Sequence, residues 1–199
     1  MTVKRVFDLL FSALGMLILS PVFLVVAILI KIDSKGPIYF RQERVGKNSE
    51  VFQIHKFRTM EINSEHLGKI TIGEDKRITN LGKWLRKNKI DELPQLIDVL
   101  YGKMSLVGPR PELKAYVDTY PKDIKKKILS VKPGITDYAS ITMIDESLLL
   151  ANYSNPQEAY AKSILPKKLE LSTKYVDSSN IFLDFKIIFL TLQKIFLKR

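Results

Sequence analysis

Cysteine is absent from the 199 residues, and histidine occurs only as His55 and His66. Disulfides, thiolate zinc sites and a cysteine nucleophile are thereby excluded, and two histidines are too few for a histidine cage around a metal. The chain also lacks internal repeats, low-complexity linkers, a D-x-D metal motif, a Gly-rich Rossmann fingerprint, a P-loop, and any zinc-finger, RNP or helix-turn-helix pattern. These absences disfavour an ordinary nucleotide-sugar glycosyltransferase and a sequence-reading nucleic-acid binder. Acid is the scarcer charge: 21 Asp and Glu stand against 32 Lys and Arg, a formal net charge of +11. That balance favours phosphate-rich partners, whether nucleic acid, anionic lipid or a nucleotide.

Charge is missing altogether from one long run, "LLFSALGMLILSPVFLVVAILI", Leu9 to Ile30. As a straight helix it measures roughly 33 Å, enough to cross a bilayer core. A cleavable signal peptide fits less well, because the apolar region is too long and no small-residue cleavage site precedes "KIDSKG". Pro21 sits near the middle without an N–H to give and crowds the carbonyl of Leu17, so a bend is expected at Ser20-Pro21. Lys4 and Arg5 precede the run, and Lys31, Lys35, Arg41, Arg44 and Lys47 follow it. Cations on both flanks pull both ends to the cytoplasmic side, which a hairpin turning back at Pro21 satisfies. A kinked single span with Lys4 and Arg5 outside is the alternative.

The pattern predicts an α+β fold, mainly helical, with residues 1–35 as the membrane segment and 36–199 as one compact domain. "PIYFRQERVG" and "EVFQIHKFRTM" alternate β-branched or aromatic residues with polar ones around "GKNS", and read as a hairpin. Thr79 and Asn80 offer caps for a helix over "LGKWLRKN". A second helix is expected from Glu92 to Tyr101, burying Leu93, Leu96, Ile97 and Leu100, with Gly102 as its stop. "MSLVGPRP" and "SVKPGITDYASI" read as short strands joined to rigid turns, and the region from Asn155 to Asp177 reads as helical, interrupted by Pro166. The closing "IFLDFKIIFLTLQKIFLKR" carries Ile181, Phe185, Ile188, Leu192, Ile195 and Phe196 on one stripe, suited either to a membrane interface or to docking on the protein's own core.

In "NKIDELPQLIDVLYG" two acids, Asp91 and Glu92, stand before a proline. A helix starting at Glu92 makes Asp91 its N-cap and places Pro94 in the first turn, which is ordinary helix chemistry. Their company is less ordinary. Arg86, Lys87 and Lys89 precede them, Lys56 and Arg58 lie in "HKFRTM", and Arg110 is held between Pro109 and Pro111. A carboxylate among cations is kept ionised and can act as a nucleophile or hold a divalent cation, while the arginines neutralise phosphates.

The succession "KRVFDLL", Ser20-Pro21, "GPIYFRQERVGKN", "HKFRTM", "IDELPQLIDVLYGKMSLVGPRPEL" and "VKPGITDYASI" resembles the bacterial sugar transferases called small monotopic phosphoglycosyl transferases, from Lys4 to about Lys194. The resemblance implies transfer of a sugar 1-phosphate from a UDP-sugar to undecaprenyl phosphate, with UMP released and a surface glycan such as exopolysaccharide begun. Asp91 would attack the sugar-linked phosphate and form an aspartyl phosphosugar, and Glu92 would be its partner acid. Mg²⁺ would bridge Asp91 and the diphosphate, while Arg110 of the Pro109-Arg110-Pro111 turn, Arg86, Lys56 and Arg58 would hold phosphate or nucleotide. Ser20-Pro21 would be the break of a re-entrant helix-break-helix in the inner membrane, leaving the catalytic domain and its amphipathic interfacial helices on the cytoplasmic side. No nucleic acid is implied, and glycosyltransferases acting downstream are the implied partners. Many members read Gly where this chain has Asp137, and a basic stretch where it has "TMIDES", so sugar choice is expected to differ there. A membrane-anchored polyanion binder explains the charge but has no need of the acidic pair, and the released product separates the classes: UMP, UDP for a glycosyltransferase, or neither.

Overall fold

The computed structural model describes residues 2–62, 75–143 and 146–197. It is mainly helical with two small sheets. Helix α1 (Val3–Asp33) begins at Thr2, whose side chain accepts from the Arg5 N–H. Helical geometry continues through Pro21, so the expected break is not an interruption of the helix. Pro21 leaves the Leu17 carbonyl without its usual donor, and the Ser20 hydroxyl supplies one at 2.8 Å.

The expected hairpin forms from β1 (Tyr39–Val45) and β2 (Val51–Phe57), antiparallel and closed by Val45 opposite Val51. A one-turn 3-10 helix, Lys47–Ser49, joins them, with Asn48 and Ser49 at φ of 54° and 66°. Helix α2 (Asn80–Lys87) is capped by Thr79, whose hydroxyl accepts from the Gly82 N–H at 3.0 Å. Next comes helix α3, where the expected boundaries shift. Lys89 takes a left-handed φ of 57°, a 3-10 turn spans Ile90–Glu92, and α3 runs only Gln95–Leu100. Asp91 is therefore not an N-cap, and the buried face is Gln95, Leu96, Asp98 and Val99 rather than the leucine stripe. Asp98 sets that rotation: its carboxylate accepts from the His55 backbone N–H at 2.9 Å and pairs with His55 Nδ1 at 2.7 Å. Gly102 ends the element at a φ of 78°, which a side chain rarely adopts.

Strands β3 (Ser105–Val107) and β4 (Gly134–Thr136) pair in parallel. A Cβ on Gly134 would lie 2.0 Å from the Gly108 nitrogen, so this crossing excludes any side chain there. Short helices α4 (Lys114–Val117) and α5 (Lys122–Ile128) lie between the two strands in the chain, and α6 (Tyr138–Thr142), α7 (Glu146–Ala151) and α8 (Pro156–Ala159) follow them. A single π turn at Tyr160–Ile164 leads into α9 (Leu165–Ser178), where Pro166 falls in the first turn and so costs no hydrogen bond. Helix α10 (Ile181–Leu197) closes the described chain.

Both ends of α1 hold the same body. At its start Lys4 Nζ reaches Asp184 at 2.5 Å and the Val107 carbonyl at 3.1 Å, Arg5 donates to the Val99 and Leu100 carbonyls, and Asp8 accepts from Ser105 Oγ and Leu106 N–H. At its end Phe23, Val26 and Ile30 pack with Phe57 and Leu85. Between them Ser12 is buried and Gly15 lies against Leu96 of α3, while the opposite face, including Val6, Leu10, Leu17, Ile18, Leu24 and Ile28, is exposed. Helix α10 docks through Asp184, Ile187 and Lys194, while Phe182, Phe185, Phe189, Leu192 and Phe196 face outward. Of the stripe read from the sequence, Phe185, Leu192 and Phe196 belong to this exposed face.

Asp8→Ala should lower unfolding free energy by about 1–3 kcal/mol, because it strands the buried Leu106 N–H and Ser105 hydroxyl. Chemical denaturation in detergent measures it, and an unchanged midpoint would show that Asp8 carries no such load.

Candidate active site

Three elements converge on the acidic pair. The Ile90–Glu92 turn carries Asp91 and Glu92, β2 brings Lys56, and the turn after β3 brings Arg110 between buried Pro109 and Pro111. Lys56 Nζ lies 2.8 Å from Glu92 Oε1, and Arg110 grips both Glu92 oxygens, with Nη1 to Oε2 at 3.0 Å. Such a two-pronged, charge-assisted contact fixes the carboxylate in a plane.

The two acids end in opposite electrostatic states. Burial pushes the Glu92 carboxyl upward, but Arg110 and Lys56 outweigh it and hold the group well below the usual carboxylate range. Burial raises Asp91, Glu92's charge adds to it, and Lys56, Arg86 and Lys89 pull the other way without cancelling the rise. The surrounding cations thus hold Glu92 ionised, while for Asp91, the expected nucleophile, burial and the charge of Glu92 outweigh them and shift the carboxyl upward. Asp91 is 7% exposed and its Oδ1 has no hydrogen-bond partner. Gln95, one turn further on and 1% exposed, has an equally unpartnered Nε2.

The remaining expected site residues divide. Arg86 Nε donates to Thr59 Oγ1 at 2.8 Å, and its charge acts on both Asp91 and Glu92. Arg58 stands apart from them. Its guanidinium donates to the carbonyls of Ile30, Ser34 and Lys35, which closes the C-terminal end of α1 where unpaired carbonyls need donors. Asp137 is buried and caps α6 through the Ser140 N–H at 2.7 Å, so it presents no surface for choosing a sugar. In "TMIDES", residues 144–145 lie outside the described residues.

Sequence reasoning missed the support behind Arg110. Glu112, buried, accepts from the Tyr160 hydroxyl at 2.6 Å and from Lys168 Nζ at 2.9 Å. Arg44 stands 3.6 Å from the other Glu112 oxygen and donates to the Pro111 carbonyl at 3.2 Å. No local pattern marks these partners, which come from β1, the π turn and α9. The "PRPE" run did contain one usable sign: a glutamate locked directly after a proline-fixed turn.

The site thus holds one carboxylate neutralised by cations beside another whose buried Oδ1 lacks a hydrogen-bond partner. The chain belongs to the bacterial sugar transferase family, whose profile matches residues 1–198. It is 37% identical over its whole length to a UDP-glucose:undecaprenyl-phosphate glucose-1-phosphate transferase of Klebsiella pneumoniae, covering 41% of that protein. It is also 37% identical, over 97% of its length, to a UDP-N-acetylgalactosamine-undecaprenyl-phosphate N-acetylgalactosaminephosphotransferase of Aeromonas hydrophila, covering 43% of it. The chain thus spans about two fifths of these relatives, but 88% of the uncharacterized sugar transferase EpsL of Bacillus subtilis (strain 168), at 36% identity.

Arg58→Met should lower stability by about 2 kcal/mol, since charged hydrogen bonds to otherwise unpaired helix-end carbonyls are lost. Unfolding monitored in detergent tests this. Unchanged stability with impaired nucleotide binding would return Arg58 to the phosphate-binding set.

Proposed function

We propose that the chain transfers a sugar 1-phosphate from a UDP-sugar to undecaprenyl phosphate through a covalent intermediate on Asp91. The observation that carries this reading is the buried Asp91 Oδ1, without a hydrogen-bond partner, beside a Glu92 already committed to Arg110 and Lys56. An Asp91 oxygen attacks the sugar-bearing phosphorus, the bond from that phosphorus to the oxygen of the uridine monophosphate half breaks, and UMP leaves. The acceptor's phosphate oxygen then attacks the same phosphorus, releasing the Asp91 carboxylate and giving a diphosphate-linked sugar lipid. Glu92, held ionised by Arg110 and Lys56, serves to orient them and Asp91 rather than to take a proton, while Arg110, Lys56 and Arg86 offset phosphate charge. Pro109 and Pro111 keep the Arg110 backbone from moving.

A magnesium ion fits the donor set. Asp91 supplies one hard oxygen, and such ions are commonly bound by one or two carboxylates with substrate phosphates and water filling the rest. Among the described residues no group of three metal-binding side chains exists, so a resident protein-only cage is not the arrangement in view. When bound, Mg²⁺ would offset diphosphate charge and favour ionised Asp91.

The same reading extends to the membrane. Lys4 and Ile30 are separated by about 39 Å of straight helix, more than a bilayer core of roughly 30 Å, yet both touch one body. Crossing would place them on opposite sides. We infer that α1 stays on one face of the inner membrane rather than crossing it, with any bend at Ser20-Pro21 taken up inside a continuous helix. The exposed aromatic face of α10 lies in the interface beside it, Phe185 being 4.8 Å from Phe7.

Asp91→Asn should reduce turnover to background with the fold kept. Wild-type protein given UDP-sugar and Mg²⁺ without acceptor should gain the mass of a phosphosugar and release UMP. A panel of UDP-sugars finds the donor, and an active Asp91→Asn enzyme would remove the nucleophile assignment. For topology, Thr2→Cys in this cysteine-free chain should resist an impermeant thiol reagent in intact spheroplasts. Labelling as strong as that of a periplasmic control would overturn the one-face arrangement.

A further inference from the structure

The end of α3 opposite the acidic pair carries a second cationic cluster. A cavity of about 150 Å³ lies between the hairpin tip and Gly102, walled by Lys47, Lys103 and Lys132. One bound water needs only about 10–15 Å³ of such space, so a small anion with hydration fits. Lys103 pairs with Glu50 on the rim, whereas Lys47 and Lys132 form no ion pair among the described residues. Arg5 closes the inner side: a Cβ on Gly102 would stand 3.2 Å from its Nη2 and 3.4 Å from Lys132 Nζ. Four cations therefore meet here against one rim carboxylate and the buried Asp8, which is already engaged with Ser105 and Leu106. Partial burial and then Arg5 push the Lys132 ammonium below its ordinary value, with Lys47 and Lys103 adding to the crowding and Asp8 opposing it. Lys47 and Lys132, without an ion pair among the described residues, and the rim Lys103 would be relieved by an anion that touches several of them at once.

We propose that Lys47, Lys103 and Lys132 form a phosphate-group binding site separate from the Asp91 cluster. The two sites lie at opposite ends of α3. The ligand is a compact phosphate oxyanion, supplied either as a free phosphorylated molecule or as a lipid headgroup. The second source rests on the membrane reading above, because Arg5 stands where the exposed apolar surface of α1 begins.

Carbon-13 methylation of lysines gives a direct report, with the Lys132 resonance assigned through Lys132→Arg. Pyrophosphate titrated into the protein in detergent should shift that resonance saturably. Lys47→Gln should weaken the response by about tenfold, and Glu50→Gln, which removes the rim's negative charge, should strengthen it. Lys174, on exposed surface, should not respond. A response only in nanodiscs containing phosphatidylglycerol, and not in phosphatidylcholine alone, assigns the site to a lipid headgroup. A Lys132 resonance indifferent to pyrophosphate and to anionic lipid overturns the proposal. So does a shift shared equally by Lys174 and insensitive to Lys47→Gln and Glu50→Gln. The readout needs no turnover, and it should be unchanged in Asp91→Asn even if the transfer reaction above proved wrong.

Discussion

Glu92 is the contact on which the site is built. A carboxylate taken out of water is costly unless both its oxygens are met, and removing one partner of a buried pair costs about 3–5 kcal/mol. Here Lys56 of the hairpin and Arg110 of the proline-fixed turn meet them together. One side chain thereby ties β2, the turn before α3 and the segment after β3 to common coordinates. Because Glu92 keeps its charge so firmly, Asp91 beside it has to carry the burial penalty of a second negative group. The asymmetry of the pair follows from which acid the cations can reach, not from any difference between Asp and Glu.

Arg110 can do this only because its own backbone cannot drift. Pro109 and Pro111 flank it, the Pro109 carbonyl accepts from Gly134 at 3.0 Å, and Arg44 draws the Pro111 carbonyl toward buried Glu112. The ion cluster of Glu112, Lys168 and Tyr160 has no open face toward the acidic pair, yet it fixes where the guanidinium starts. Two buried carboxylates thus act in series: Glu112 holds the turn, and the turn holds Glu92.

Sequence made visible those features whose physics is local. The hairpin came from alternation and a polar turn, the α2 cap from Thr79, and the α3 stop from Gly102, and each needs only near neighbours. The features it hid depend on partners far along the chain. Asp8, Asp98, Glu112 and Asp184 look like ordinary surface acids, but each is buried against a group from another element. Arg58 looked like a phosphate ligand because cations in a row share one appearance, and its assignment turned on the carbonyls at the end of α1. The start of α3 was misplaced for a backbone reason: Lys89 adopts a left-handed conformation that propensity gives no cause to expect in lysine.

The large positive charge also reads differently once its members are located. Lys4, Arg44, Arg58 and Lys168 are spent on carboxylates or on helix-end and turn carbonyls inside the protein, so they offer little to a distant polyanion. Exposed lysines are spread over the surface, Lys83 on α2, Lys122, Lys126 and Lys127 on α5, Lys167 and Lys174 on α9 and Lys186 on α10, and two further groups of cations sit at the ends of α3. Helix α3 has the Asp91 and Glu92 cluster before its first turn and the lysines around Gly102 after its last. Its C-terminal end carries partial negative charge, which suits lysines placed there, while its short length makes that contribution small beside the cations themselves. Each of the two groups offers several cations to one compact anion, and it is through them that the fold's basic composition would serve the phosphate chemistry proposed above.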